Sequence, residues 1–215
     1  MKLVTALLVF AAVSVASAAD KMKMNFTNEE LTKIIEAYSK ASGQKFVVDP
    51  GVRGKVTIFL PETVTTEEAF NHLSSALAIN GFAISKQGDT MVVKAARNIQ
   101  RDLIEVSTEK PTVKPERMYT WVYTAKHTSS MVLNTNLRIL ASKDGEIQAV
   151  ENTNQLIITD WSSNLNRIAE LLKEVDKPVD AATAKIVDAT RKEREARNKN
   201  QATTKPEEKK AKTEN

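Results

Sequence analysis

The 215-residue chain contains no cysteine, which excludes disulfides, thiolate nucleophiles and cysteine-held metals. Stability must therefore come from ordinary apolar cores. Histidine is almost as scarce: His72 and His127 fall in separate predicted domains, without a repeated carboxylate spacing that would suit a metal or an acid–base pair. There is no GxSxG, HExxH or phosphate-binding loop, so neither an enzymatic activity nor a cofactor is expected. The adjacent carboxylates Glu29-Glu30 and Glu67-Glu68 each stand where a helix is predicted to open, and the helix dipole accounts for negative charge there. With only six glycines and six prolines, those that occur act as punctuation between elements.

An excess of positive charge is also missing from the part that should fold. Of the formal net charge of +4, the larger share comes from residues 180–215, which hold ten Lys/Arg and seven Asp/Glu. Residues 3–179 balance at twenty of each. A nucleic-acid surface needs clustered positive charge on a folded face, so none is expected. Long apolar runs are confined to the start. Lys2, the apolar stretch Leu3 to Val15 and the pattern Ala16-Ser17-Ala18 read as a secretory signal cleaved after Ala18. That stretch is shorter than the ~20 apolar residues of a membrane span. No span is expected once it is removed.

What the chain does have is periodicity. Thr27 and Glu30 have capping-box spacing, with Phe26 and Leu31 as a hydrophobic staple. Leu31, Ile34, Ile35 and Tyr38 then form a helical stripe that Gly43 stops. Phe46 to Leu60 reads as two strands around the turn Asp49-Pro50-Gly51, and Gly54 interrupts the entry to the second. Thr65 and Glu68 repeat the capping box before Ala69, Phe70, Leu73, Ala76 and Leu77. Strands at Phe82–Ser85 and Thr90–Lys94 flank a hairpin loop. The predicted order, over residues 20–106, is β-α-β-β-α-β-β, with Leu103 to Val106 as a further short strand. Asp49, Pro50, Val52 and Gly54 are the candidate structural motif. Gly51-Val52-Arg53-Gly54 is literally a GxxG, but its place between strands makes it a turn, not a nucleic-acid clamp.

Residues 107–116 read as a linker, and residues 117–178 as a second domain. Its first strand puts Tyr119, Trp121 and Tyr123 on one face, as a wall for two helices or as a ligand platform. A helix starting at Thr128-Ser129-Ser130 carries the candidate protein interface Val132, Leu133, Asn134, Thr135 and Asn136. A hairpin around 151–154 follows, and Asp160 is placed to cap a last helix with Leu165, Ile168, Ala169, Leu172 and Val175 on one face. Trp161 would anchor packing or an interface. The order β-α-β-β-α matches a KH-like core. From Val179 onward the absence of aromatics and leucine predicts a disordered, charged tail of residues 179–215, in which Ala181 to Ala196 has weak helical character with only Ile186 and Val187 to bury. The fold class is α+β, two small two-layer domains plus that tail.

These elements resemble the periplasmic N-terminal domains of secretins, the outer-membrane channels of type II secretion and type IV pilus systems. The resemblance rests on Met24-Asn25-Phe26, Phe46 to Pro50, Val52 to Thr57, Ala76-Leu77, Gly81-Phe82 and Met91 to Lys94 in the first part. In the second it rests on residues 117–178 through Val175-Asp176-Lys177-Pro178. It implies the secretin and TonB short N-terminal domain followed by a KH-like secretin domain. It also implies a non-enzymatic periplasmic docking role, with secretin channel or inner-membrane secretion proteins and further copies of the chain as partners. Secretins continue into further domains and a barrel, whereas this sequence turns charged after Pro178, so a separate docking piece is expected. The alternative is a periplasmic ligand or peptidoglycan-binding module.

Overall fold

A computed structural model of the chain describes residues 21–102 and 104–211. The expected signal at 1–18 lies outside these. The first part runs β1 (Lys21–Met22), β2 (Phe26–Glu30), α1 (Leu31–Ser42), β3 (Lys45–Val48), β4 (Lys55–Ile58), β5 (Val64–Thr65), α2 (Thr66–Ile79), β6 (Phe82–Gln87), β7 (Thr90–Ala95) and α3 (Ala96–Asp102). β3, β7 and β6 form one sheet, β2 pairs antiparallel with β4, and β1 pairs with β5. Leu31, Ile34, Ile35 and Tyr38 of α1 and Ala69, Leu73 and Leu77 of α2 bury their stripes in one core with Val52, Ile84 and Val93.

Local signals held where no longer-range pairing opposed them. Thr65 Oγ1 accepts from the Glu68 N–H at 3.2 Å and the Glu68 carboxylate accepts from the Thr65 N–H at 3.0 Å, closing the capping box of α2. Gly43 ends α1 with a left-handed φ of 70°. The Thr27–Glu30 box does not form. Residues 26–30 are drawn into β2 by pairing with β4, the Asn28 N–H donates to Thr57 Oγ1, and α1 starts at Leu31 with no side-chain cap. Glu29 and Glu30 therefore end a strand, and the Phe26–Leu31 staple has no helix turn to close.

The two strands of residues 46–60 are present as β3 and β4 but do not pair with each other. β3 runs parallel to β7, β4 runs antiparallel to β2, and the turn between them carries the chain from one sheet to the other. Asp49 sets that turn: its Oδ1 accepts from the Gly51 N–H at 2.7 Å and its C=O from the Val52 N–H at 2.9 Å, dropping Val52 into the core. Pro50 is exposed on the outside. Gly54 adopts φ of 128°, and its C=O accepts from the Leu31 N–H at 3.0 Å, supplying the partner that α1 lacks at its start. A Cβ at Gly54 would stand 2.8 Å from Asn80 Oδ1. Gly54→Val is expected to cost about 2 kcal/mol through backbone strain. An unchanged melting transition of the first domain in calorimetry would show that this conformation is not required.

The second part runs β8 (Glu105–Ser107), β9 (Met118–Thr124), α4 (Ser130–Leu137), a 3-10 turn (Arg138–Leu140), β10 (Glu146–Val150), a second 3-10 turn (Glu151–Thr153), β11 (Gln155–Trp161) and α5 (Ser162–Val175). The sheet order is β10-β11-β9-β8. Trp121, Leu156, Ile158, Leu165, Ile168 and Leu172 form the core under α4 and α5. This is the expected β-α-β-β-α unit with one strand added. That strand, β8, was expected to close the first domain, but it pairs in parallel with β9. Asp160 was expected to cap α5, yet it lies in β11, fully buried, and Trp161 occupies the cap position without a side-chain bond.

Within the charged tail, residues 181–211 form a helix, α6 (Ala181–Ala211), longer than the weakly helical stretch 181–196 read from the sequence. Asp180 starts it, its Oδ1 accepting from the Ala182 and Thr183 N–H groups. Alanine, lysine, arginine and glutamate favour helix without any core to bury, and Arg191 adds ion pairs to Asp188 and Glu195.

Candidate docking surfaces and the domain junction

A third apolar cluster, of Ala83, Ala96, Ile99, Met118 and Trp161, lies between the two larger ones and draws on both domains. Its organiser is α3, a seven-residue helix that the sequence reading missed. Ile99 is 1% exposed in this junction. Around its rim, Arg97 Nη2 donates to the Lys143 C=O at 2.6 Å, Arg97 Nε lies 3.7 Å from Asp144 Oδ1, and the Arg117 guanidinium sits 5.1 Å over the Phe70 ring. The linker of residues 107–116 packs along the second domain: the Pro111 C=O accepts from Asn166 Nδ2, the Thr108 C=O from Trp121 Nε1, and Ser162 Oγ lies within reach of the Val113 and Pro115 carbonyls. Beside the junction is a groove of about 710 Å³ whose lining includes Ile79, Ile139, Leu140, Trp161, Glu116 and Arg167. Ile79 and Ile139 are 78% and 80% exposed, the most solvent-facing large apolar residues described.

The candidate interface on α4 is divided by the structure. Val132, Thr135 and Asn136 are exposed, and Asn134 is half-buried. Leu133 is buried in the core and leaves the set, because it stands about 100° round the helix from its neighbour Val132, on the side that faces the sheet. Met131 joins the exposed side. Of the aromatic stripe, Trp121 is buried and Tyr119 and Tyr123 pack partly against the same core. The stripe is a wall, not an open platform.

Two polar residues, to which the sequence assigns no role of their own, hold the loop before α4. Asp176, at the end of α5, is a 7%-exposed carboxylate that accepts four hydrogen bonds: Tyr123 Oη at 2.7 Å, and the N–H groups of Lys126, His127 and Thr128, each at 2.8 Å. Asn154, with φ of 51°, accepts from the Ser130 N–H and donates to the Ala125 and Thr128 carbonyls. The position where a KH domain would present its backbone clamp is thus filled by the protein's own side chains. Their only sequence signal was a polar residue placed where a helix ends and one inside a hairpin loop. Asp160 makes a comparable knot, accepting from the Ser142 N–H and Asn164 Nδ2. It lies so close to Gly145 that a Cβ there would fall on the carboxylate.

Burial alone would push the Asp176 carboxyl up, but the hydrogen bonds from Lys126, Tyr123, His127 and Thr128 outweigh it and hold the group below the ordinary aspartate value of 3.8. Tyr123 is pushed up to about 12, first by burial and then by its bond to the Asp176 carboxylate. The signs differ at the two ends of the pH scale. Asp176 contributes stability that is present above pH ~3.8 and lost as pH falls below that value. Tyr123 contributes stability that is full below pH ~10 and lost as pH rises toward 12. Tyr123→Phe is therefore expected to flatten the alkaline limb of a stability–pH profile and leave most of the acid limb, as denaturant midpoints across pH would reveal.

Among the described residues, no group of three or more His, Cys, Asp or Glu could hold a metal ion. His72 and His127 are both exposed and sit in different domains. No helix among the described residues is long and apolar enough to cross a membrane.

Comparison with known proteins agrees with this two-part architecture. Residues 24–93 match the family described as the GspD-like N0 domain, and residues 120–181 match the bacterial type II/III secretion system short domain. Secretin XcpQ of Pseudomonas aeruginosa is 27% identical over 154 residues, covering 72% of this chain and 23% of that protein. Secretin GspD of Vibrio cholerae is 25% identical over 197 residues, 84% and 29% of the respective chains. The type IV pilus biogenesis and competence protein PilQ of Neisseria meningitidis is 24% identical over 184 residues, 79% and 24%. The chain thus spans about a quarter of the length of these curated relatives. The fold recurs in the Klebsiella pneumoniae type II secretion outer membrane complex of PulD, PulS and the PulC HR domain, with a TM-score of 0.64 at 22% identity over 72% of this chain and 27% of that one. Two family matches in series, over the two domains described, show that this chain carries secretin N-terminal domains, a GspD-like N0 domain followed by the bacterial type II/III secretion system short domain.

Proposed function

We propose that the chain is a non-enzymatic docking and assembly component of a type II secretion or type IV pilus system, acting in the periplasm. The observation that carries this reading is the succession of the two secretin N-terminal domain types joined through a buried junction. That arrangement presents partner-facing surfaces from both domains in one fixed relation. Exposed apolar residues on α4 and at the groove, Val132, Ile79 and Ile139, are the contacts proposed for a secretin channel, an inner-membrane secretion protein or a neighbouring copy. The ligand-binding alternative loses its main support with the burial of Trp121.

The test is photo-cross-linking from positions 132 and 139 in intact cells, followed by identification of the adducts. Adducts with a secretin channel or inner-membrane secretion component are expected. Clean cross-links to peptidoglycan, or to proteins of no secretion apparatus, would overturn the proposal.

A further inference from the structure

The junction also holds a cavity that the two domains line together. It measures about 290 Å³ and lies between β6, an edge strand of the first sheet, and the start of β9, next to β8 at the edge of the second. Ile84, Ile99 and Met118 form its apolar side, each 4% exposed or less. Its charged side holds two cations and one anion, Lys86, Arg117 and Glu105. None of the three belongs to an ion pair among the described residues.

Arg117 is the group that points to a ligand. Its C=O accepts from the Ser162 N–H at 2.8 Å, which fixes the backbone at the start of β9, and its guanidinium sits 5.1 Å over the Phe70 ring. The ring attracts the charge but offers no oxygen to the N–H groups. Nε is buried without a hydrogen-bond partner, and a buried donor on a charged group is costly to leave unmade. A carboxylate answers it best, because two oxygens meet the planar N–H fork. Lys86 adds a second positive charge, while Glu105 opposes a second negative one. Two cations less one anion leave the site at +1, which a single carboxylate neutralises.

We infer that this cavity is a binding site for a small monocarboxylate with an apolar body, held by Arg117 and Lys86 at its charged end and by Ile84, Ile99 and Met118 at the other. At roughly 30 Å³ for the share of volume that one water takes, the cavity has room for about ten waters, or for a ligand of about ten non-hydrogen atoms. A bound ligand touches both domains, and Glu105 turns dicarboxylates away. The site uses neither Trp121 nor the groove at Ile79 and Ile139. It stands or falls separately from the secretion reading.

Met118 supplies the reporter. The full chain is labelled at its methionine methyl groups with carbon-13, and phenylacetate, which matches the cavity in size, is titrated while the methyl resonances are followed by NMR. A saturable shift of the Met118 methyl is expected, with Met131, exposed on α4, unmoved. Phenylacetamide has the same shape without the charge and is expected to bind about tenfold more weakly, the difference between a charged and a neutral hydrogen bond. Acetate, which lacks the apolar body, is expected to bind more weakly still. Arg117→Gln is expected to weaken phenylacetate about tenfold for the same reason, and Lys86→Gln several-fold. Lys86 is exposed, so Lys86→Gln leaves the packing intact and decides the matter should Arg117→Gln fail to fold. No saturable shift at Met118 overturns the inference. So does phenylacetamide or acetate binding as tightly as phenylacetate, or phenylacetate binding unchanged in Lys86→Gln.

Discussion

Asp176→Ala is expected to lower the stability of the second domain by about 3 kcal/mol, shifting its melting transition down by on the order of 10 °C. One carboxylate accepts from Tyr123 Oη and from three consecutive backbone N–H groups, those of Lys126, His127 and Thr128. Hydrogen bonds to a charged acceptor contribute about 1.5–3 kcal/mol each when measured singly, and those that share one acceptor do not add. Lys126 and His127 are exposed, so water can recover part of what their N–H groups lose, which caps the total. Asp176→Asn separates charge from shape. The amide keeps one accepting oxygen but turns an NH₂ donor toward groups that are themselves donors. It is expected to cost nearly as much as alanine, whereas Tyr123→Phe, which removes one bond of the four, is expected to cost about 1 kcal/mol. Urea unfolding of the four proteins at neutral pH supplies the comparison. If Asp176→Asn proves as stable as the parent, the carboxylate is not the acceptor the loop requires.

The consequence reaches beyond stability. The clamped loop sets where α4 begins, and α4 carries Val132, Thr135 and Asn136. A partner that docks on α4 should therefore lose affinity in Asp176→Ala without any change to a residue it touches.

The sequence announces the elements whose signals are local and leaves silent those that depend on distant partners. The stripe of α1, the closed capping box of α2 and the Gly43 stop are written within a few residues, and they form as the periodicity predicts. The Thr27–Glu30 box is as clear on paper, yet β4 competes for the same residues from some thirty positions away and prevails. The same applies to β8. Val106 reads as a strand residue, but nothing near it says that its partner is Thr120 rather than a strand of the first sheet. Leu133 looked like a contact beside Val132 because a run of residues does not reveal which of two neighbours turns inward. Asp176 and Asn154 have the weakest local signature of all, since their role exists only when residues about 25 to 50 positions away are brought to them. In the charged tail the lack of apolar residues argues against a packed core, and a capped run of good helix formers needs none to form α6.

Ile99→Asp is expected to open the domain junction while leaving both domains folded, the largest change in shape that a single substitution should produce here. Ile99 is 1% exposed among Ala83, Ala96, Met118 and Trp161, and Lys86 and Arg117 line the cavity beside it. A carboxylate buried there loses its hydration at a cost of several kcal/mol that only close pairing with Arg117 would offset, so separating the two faces and reaching water is the expected alternative. Each domain keeps its own core, because the residues of the junction cluster are distinct from those of the two larger clusters. The rim contacts cannot hold the junction alone. Arg97 is 73% exposed and its partner Asp144 10% exposed at 3.7 Å, and a pair with one solvated member at that distance contributes about 1 kcal/mol. Arg97→Ala is accordingly expected to leave the domains in place. Spin labels on cysteines introduced at positions 40 and 173 of the otherwise cysteine-free chain report the distance between the domains. A narrow distribution is expected for the parent and for Arg97→Ala, and a broad one for Ile99→Asp, with hydrogen exchange of the two cores unchanged. Ile99→Ala, which deletes buried volume without adding charge, should fall between. A distribution that stays narrow in Ile99→Asp would mean that the pairing of β8 with β9 and the packed linker, not the apolar cluster, hold the two domains in register.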